Sequence, residues 1–163
     1  MHTIDELREV LSYDPLTGIF KWKISPNTYI LAGDIAGTCN EGGYVIICYK
    51  GQRYSAHRLA WALQTGSWPA NFIDHKDRNP SNNAWHNLRE ATNSQNLHNT
   101  RPRPGKSGFP GVHITGSGKY TAAICVNKKP KSLGSFNTPE EAYRAYVEAK
   151  KKYHSHYNGG VER

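Results

Sequence analysis

The chain has 163 residues, of which 37% are hydrophobic, with 15 Gly and 9 Pro; it has room for one medium domain or two small ones with thin cores. Its formal net charge of +8 is one-sided, because residues 1–100 hold 9 Lys/Arg and 9 Asp/Glu whereas residues 101–163 hold 12 and 4. No apolar run could span a bilayer and the start, Met1-His2-Thr3-Ile4-Asp5-Glu6, lacks the pattern of a signal peptide, so a soluble, cytoplasmic protein is expected.

Thr3-x-x-Glu6 is a capping box that predicts a short helix to about Leu11. A turn at Tyr13–Gly18 follows, and Ile19–Lys23 alternates like a strand. Tyr44–Tyr49 and Gln52–Ser55, joined at Lys50-Gly51, read as a hairpin. The next helix, from Ala56 to about Thr65, is expected to be capped by Ser55 and stopped by Gly66. Residues 71–100 are polar and weakly periodic, with a short helix expected from Thr92 to about Asn99 behind a second capping box, Thr92-x-x-Gln95. The Pro/Gly/basic stretch 101–108 has linker composition. Beyond it come three short strands, Gly111–Thr115, Lys119–Val126 and Lys131–Phe136. The last helix is capped by Thr138 with Pro139 at its first position and Glu141 completing the box; Ala142, Ala145, Tyr146, Ala149 and Tyr153 form its apolar stripe. Cys39, Cys48 and Cys125 are scattered, without a CxxC pair, and are read as reduced small hydrophobes.

The segment from Ile73 to Arg89 is too polar to serve packing alone, and residues 90–96 extend it to a helical Asn96. Asp74 and Asn96 offer hard oxygens of the kind that suit magnesium, which keeps several waters and needs few protein donors. His75, beside that carboxylate, is a group able to take a proton from water near neutral pH. The basic excess after residue 100 points to a polyanion bound mainly by the C-terminal part.

Ala56-His57-Arg58-Leu59-Ala60-Trp61, Ile73-Asp74-His75, Asn82-Asn83, Asn87–Thr92 and Gln95-Asn96 together resemble phage HNH endonucleases related to intron-homing enzymes, over about Leu11–Asn99. The resemblance implies a ββα-metal nuclease core at about 56–99 within a domain spanning 1–100. It implies that His75 is the general base and that Asp74 and Asn96 hold one Mg2+ (or Mn2+) ion, which would bind a phosphate oxygen and the departing 3′ oxygen. Asn87 would fasten the loop that orients His75. Asn96 stands where the wider class places histidine, which argues against tight zinc binding. His57 matches a recurrent position and is read as structural; His86 and His98 are read as surface or DNA-proximal groups, and Trp61, Trp68 and Trp85 as packing residues.

Gly111-Val112, Lys119–Ile124, Leu133–Phe136 and Thr138–Tyr146 resemble the Apetala/ethylene-response-factor DNA-binding domain, a three-stranded sheet backed by one helix, over 109–158 with a tail at 159–163. Alternation places Tyr120, Ala122, Ile124 and Val126 toward the helix with Val112, Ile114, Leu133 and Phe136. It places His113, Thr115, Thr121, Ala123, Cys125 and Ser132 outward, the side on which the resemblance implies contact with double-stranded DNA. Those outward residues are small or weakly polar, so affinity is expected more than discrimination. Arg101, Arg103, Lys106, His113, Lys119, Lys128, Lys129 and Lys131 are the expected DNA contacts. The whole reads as an α+β, monomeric endonuclease that nicks or cleaves duplex DNA. The alternative readings are a DNA-binding regulator with a non-catalytic HNH remnant and an RNA-binding or RNA-cleaving protein.

Overall fold

The computed structural model describes residues 2–99, 103–126, 128–154, 156 and 157, and it is of mixed helix and strand with small sheets. Two compact units divide it, Met1–Asn93 and Ser94–Arg163, so the division falls ahead of the Pro/Gly/basic stretch. Arg101, expected to touch DNA, lies outside the described residues. Among the described residues no helix is long and apolar enough to cross a membrane.

The first unit opens with α1 (Ile4–Val10). Thr3 accepts from the Glu6 N–H, and the Thr3 N–H donates back to the Glu6 carboxylate at 2.6 Å, closing the capping box. That donated N–H and the Thr3 hydroxyl hold the Glu6 carboxyl below its usual range. Leu7 and Val10 give α1 its buried side, and the chain turns extended at Leu11 to enter β1 (Leu11–Tyr13). β1 pairs with β2 (Phe20–Trp22), whose Phe20 and Trp22 are buried and whose Lys21 points out, the period-2 pattern of a half-buried strand.

A second sheet follows, β3 (Thr38–Cys39), β4 (Val45–Tyr49) and β5 (Gln52–Ser55), antiparallel in that order. The last residue of β5 runs straight into α2 (Ala56–Thr65). Ser55 stands at its N-cap as expected and is also paired with Ile46, but its side chain makes no bond to the helix N-terminus. Gly66 ends the helix with its N–H on the Ala62 carbonyl. Ala56, Leu59, Ala60 and Ala62 are the buried face, and α2 packs against β4, β5 and β6 (Phe72–His75). The core joins Leu7, Leu11, Phe20, Ile47 and Leu59, with Trp61 and Trp68 against it. A 3-10 turn at Trp85–Asn87 precedes β7 (Leu88–Ala91), the antiparallel partner of β6. α3 (Asn93–Asn99) begins where the first unit ends.

The second unit carries β8 (Val112–Ile114), β9 (Tyr120–Val126), β10 (Lys129–Phe136) and α4 (Pro139–Tyr153), the sheet antiparallel in the order β10-β9-β8. Thr138 accepts from the Glu141 N–H and donates its own N–H to the Glu141 carboxylate. Val112, Ala122 and Ile124 meet Ala142, Tyr146 and Ala149, with Tyr120, Val126, Leu133 and Phe136 packed around them. Ile114 departs from its inward assignment and is 51% exposed. It ends the edge strand opposite Tyr120, and burial along this row already fades from Ala122 to Tyr120, so the apolar cover runs out there. All three cysteines are free, and they are exposed rather than packed.

Gly111 faces the Tyr146 ring so closely that an added Cβ would stand 2.2 Å from a ring carbon, and its φ of +70° disfavours any side chain. A buried ring flanked by the sheet has little room to retreat. Gly111→Ala is therefore expected to cost about 2 kcal/mol or more, read as a lowered unfolding midpoint in calorimetry; an unchanged midpoint would mean that the contact relaxes freely.

Candidate active site

β6 carries two consecutive polar residues into the interior, Asp74 and His75, each 6% exposed. A carboxylate in such a place requires partners. The β6–β7 register sets Asp74 opposite Arg89, whose Nε donates to Asp74 Oδ2 at 2.8 Å while a terminal guanidinium nitrogen lies 2.7 Å from the same oxygen. Sequence reasoning quoted Arg89 in a motif without giving it a role. Its signal was the need of a buried aspartate for a cation, but the pairing depends on a register that only the fold reveals.

His75 lies in a polar and aromatic setting. Its Nε2 is 3.2 Å from Asn83 Oδ1. The His57 ring stands edge-on with centroids 5.2 Å apart, and Tyr44 is 6.0 Å from His75 and 5.5 Å from His57. Burial first, then the charges of His75 and Arg58, push His57 down to about 4. His57 is thus a neutral group beside His75, with a buried Nδ1 that has no hydrogen-bond partner among the described residues.

Between β6 and β7 the chain makes a loop stitched by side chains. The Asn87 amide donates to Asp77 Oδ1 at 2.9 Å and to the Asn82 carbonyl at 2.8 Å, while its Oδ1 accepts from the Asp77 N–H at 3.0 Å. Its backbone carbonyl accepts from Lys76 N–H. Asp77 also accepts from the Asn79 N–H and the Asn82 amide. Burial works to raise the Asp77 carboxyl, but those three donors and the charge of His75 outweigh it and hold the group below its usual value. Sequence reasoning missed Asp77. Its spacing to Asn79 and Asn82 is that of a side chain folding back on its own loop.

The turn between β1 and β2 braces this loop from the N-terminal side. The Tyr13 hydroxyl donates to the Asn83 carbonyl at 2.8 Å, and Trp85 N–H donates to the Pro15 carbonyl at 2.8 Å. Burial, then the Asp14 charge, push the Tyr13 phenol well above its usual value, so it stays a donor. Gly18, with φ +76°, touches the loop backbone so closely that a Cβ would lie 2.2 Å from Ala84 N.

Asp74, His75 and Asn87 therefore belong to one hairpin and its loop, whereas Asn96 lies half-buried on α3 in the second unit. Among the described residues no group of three or more His, Cys, Asp or Glu is placed to hold a metal. In the second unit Arg103, Lys106, His113, Lys119, Lys128, Lys129 and Lys131 are all exposed. Lys131 is engaged by Tyr153, donating to its hydroxyl at 2.8 Å.

A family model described as HNH endonuclease matches residues 54–98, the stretch from β5 to α3 that includes Asp74, His75, Asn87 and Asn96. Comparison with curated proteins and with solved structures found no match.

The depressed His57 has a consequence for stability. Between about pH 6.5 and about 4 the unfolded chain takes up a proton at His57 that the folded chain refuses. Stability from this group is intact above that window and is lost as the pH falls through it. Relative to His57→Phe, the wild type is expected to lose on the order of 2 kcal/mol more between about pH 7 and 4.5, measured by urea unfolding. Equal losses would place the acid-sensitive group elsewhere.

Proposed function

We propose that the protein is a magnesium-dependent endonuclease that nicks or cleaves duplex DNA, with its general base in the first unit and much of its grip on DNA in the second. The observation that carries this reading is the adjacent burial of Asp74 and His75 on β6, with the following loop tied to Asn87 through Asp77 and Asn82. The match of residues 54–98 to the HNH endonuclease model supports the same reading.

In this reading His75 is the general base. It takes a proton from a water whose oxygen attacks the scissile phosphorus, and the bond to the 3′ oxygen breaks to leave 5′-phosphate and 3′-hydroxyl ends. Asn87 keeps the loop after His75 in one conformation. Asp74 and Asn96 would hold a single Mg2+ or Mn2+. The donor types fit: a carboxylate fixed by Arg89 and a side-chain amide are hard oxygen donors, and such ions keep several waters. A bound ion would supply charge stabilisation at the phosphate and the leaving oxygen. The exposed cations from Arg103 to Lys131 would contact phosphates, together with Arg101.

A second reading is a DNA-binding regulator with a non-catalytic remnant of the nuclease motif. What favours it is the engagement of Asp74 Oδ2 by two Arg89 nitrogens. Supercoiled plasmid incubated with and without magnesium separates the two: the nuclease reading expects nicked or linear product only with the ion. His75→Ala should lower the rate by about 10²- to 10⁴-fold with little change in DNA affinity. A wild type that binds DNA but leaves plasmid intact with magnesium or manganese supports the regulator.

Each phosphate neutralised by a lysine adds roughly −0.9 to the slope of log affinity against log salt. Replacing Lys119, Lys128 and Lys129 together by Gln should weaken duplex binding and make that slope shallower by roughly 2–3. Fluorescence anisotropy over a salt series measures it, and an unchanged slope would remove these lysines from the interface.

A further inference from the structure

A base that is nearly enclosed acts on DNA only if the strand reaches it past the side chains that cover it. What flanks a DNA phosphate on either side is a deoxyribose. We propose that Tyr44 is a substrate-contacting residue: the deoxyribose next to the scissile phosphate packs against the exposed part of its ring. The proposal rests on the reading of His75 as the general base.

His75 is 6% exposed, whereas Tyr44, whose ring centroid lies 6.0 Å from that of His75, is 41% exposed. Part of the Tyr44 ring meets His75 and His57, and the remainder is open to solvent. An exposed neighbour marks the side on which a buried group faces solvent. A phosphorus one water away from the imidazole stands about two contacts of ~3 Å from it. The Tyr44 ring centre lies at that same distance, so a strand in place for attack meets the ring.

The turn between β3 and β4 fixes Tyr44 before any DNA arrives. Asn40 Oδ1 accepts from the Tyr44 N–H at 3.0 Å, and the Asn40 N–H donates to the Tyr44 carbonyl at 2.9 Å. The Gly43 N–H closes the turn on the Asn40 carbonyl. This turn rests on the loop that follows His75, since a Cβ added at Gly43 would stand 3.0 Å from Pro80 Cγ. A contact placed in advance costs little further ordering. A flat ring also suits a sugar, whose C–H groups it covers while every base stays in its stack. The charges of the first unit balance, so its hold on the strand near His75 needs such an apolar surface. Tyr44 lies ahead of residue 54 and outside the matched stretch.

Hydroxyl-radical footprinting of the full chain, read by mass spectrometry, tests the contact without cleavage. With EDTA and a saturating short duplex, oxidation of Tyr44 is expected to slow several-fold. Tyr29, which is 94% exposed and is assigned no contact, should keep its rate. No protection of Tyr44, or equal protection of both residues, overturns the proposal. Plasmid nicking with magnesium then separates contact from architecture, because a hold that is equal in ground and transition states appears in KM alone. Tyr44→Ala should raise KM for DNA roughly 10-fold with kcat little changed. Tyr44→Phe, which restores the ring, should recover most of that loss. Wild-type KM in Tyr44→Ala, or a lowered kcat at unchanged KM, overturns the proposal. Should Tyr44→Ala fail to fold, the wild-type footprint decides alone. A wild type that cuts no plasmid defeats the nuclease reading by itself, while the footprint still decides whether Tyr44 lies under DNA.

Discussion

Burying an ionisable side chain is costly unless its bonds to water are replaced one by one, and β6 buries two in succession. Much of the first unit can be understood as the replacement of those bonds. Arg89 reaches Asp74 because β7 runs antiparallel to β6 in a register that sets the two residues opposite each other. Asn83 reaches His75 because the loop between the strands folds back upon itself, and it folds back because Asp77 and Asn87 gather its donors. Removing one member would leave a buried polar group unanswered, which costs more than the bond itself contributes.

Elements that rest on local chemistry were legible in the sequence. The capping boxes at Thr3 and Thr138 appear as expected, because hydroxyl and carboxylate lie three residues apart and need no distant partner. α2 was legible at both ends, and Ser55 stands at its N-cap, but the hydroxyl bond expected of that residue is not made. Asp74 and His75 stood out as polar residues in a strand-like stretch. Their surroundings did not, because Arg89, Asn83 and Tyr13 are brought near by register, loop closure and a distant hairpin respectively. Ile114 shows the converse limit: alternation assigns a face, but exposure depends on how far the apolar cover extends over that face.

The charge partition follows the same boundary as the fold. Met1–Asn93 holds 9 Lys/Arg and 9 Asp/Glu, and all of the excess lies in the second unit. Binding energy that is equal in ground and transition states improves occupancy without speeding the chemical step. In the proposed function, the second unit supplies that uniform term through phosphate contacts, which leaves the site around His75 free of a need for bulk positive charge.

Orientation is what the β1–β2 turn contributes to the loop beside His75. Gly18 presses the Asn83–Ala84 peptide at a distance that admits no side chain, and the Tyr13 phenol is kept protonated by its burial. Both contacts act on backbone atoms, so they constrain the loop whatever side chains it carries. Asn83, so held, is also the residue whose side-chain oxygen stands 3.2 Å from His75 Nε2. The hairpin that precedes residue 54 thus braces the loop after His75 from outside the matched stretch, through the Tyr13 hydroxyl on the Asn83 carbonyl and Gly18 against the Asn83–Ala84 peptide.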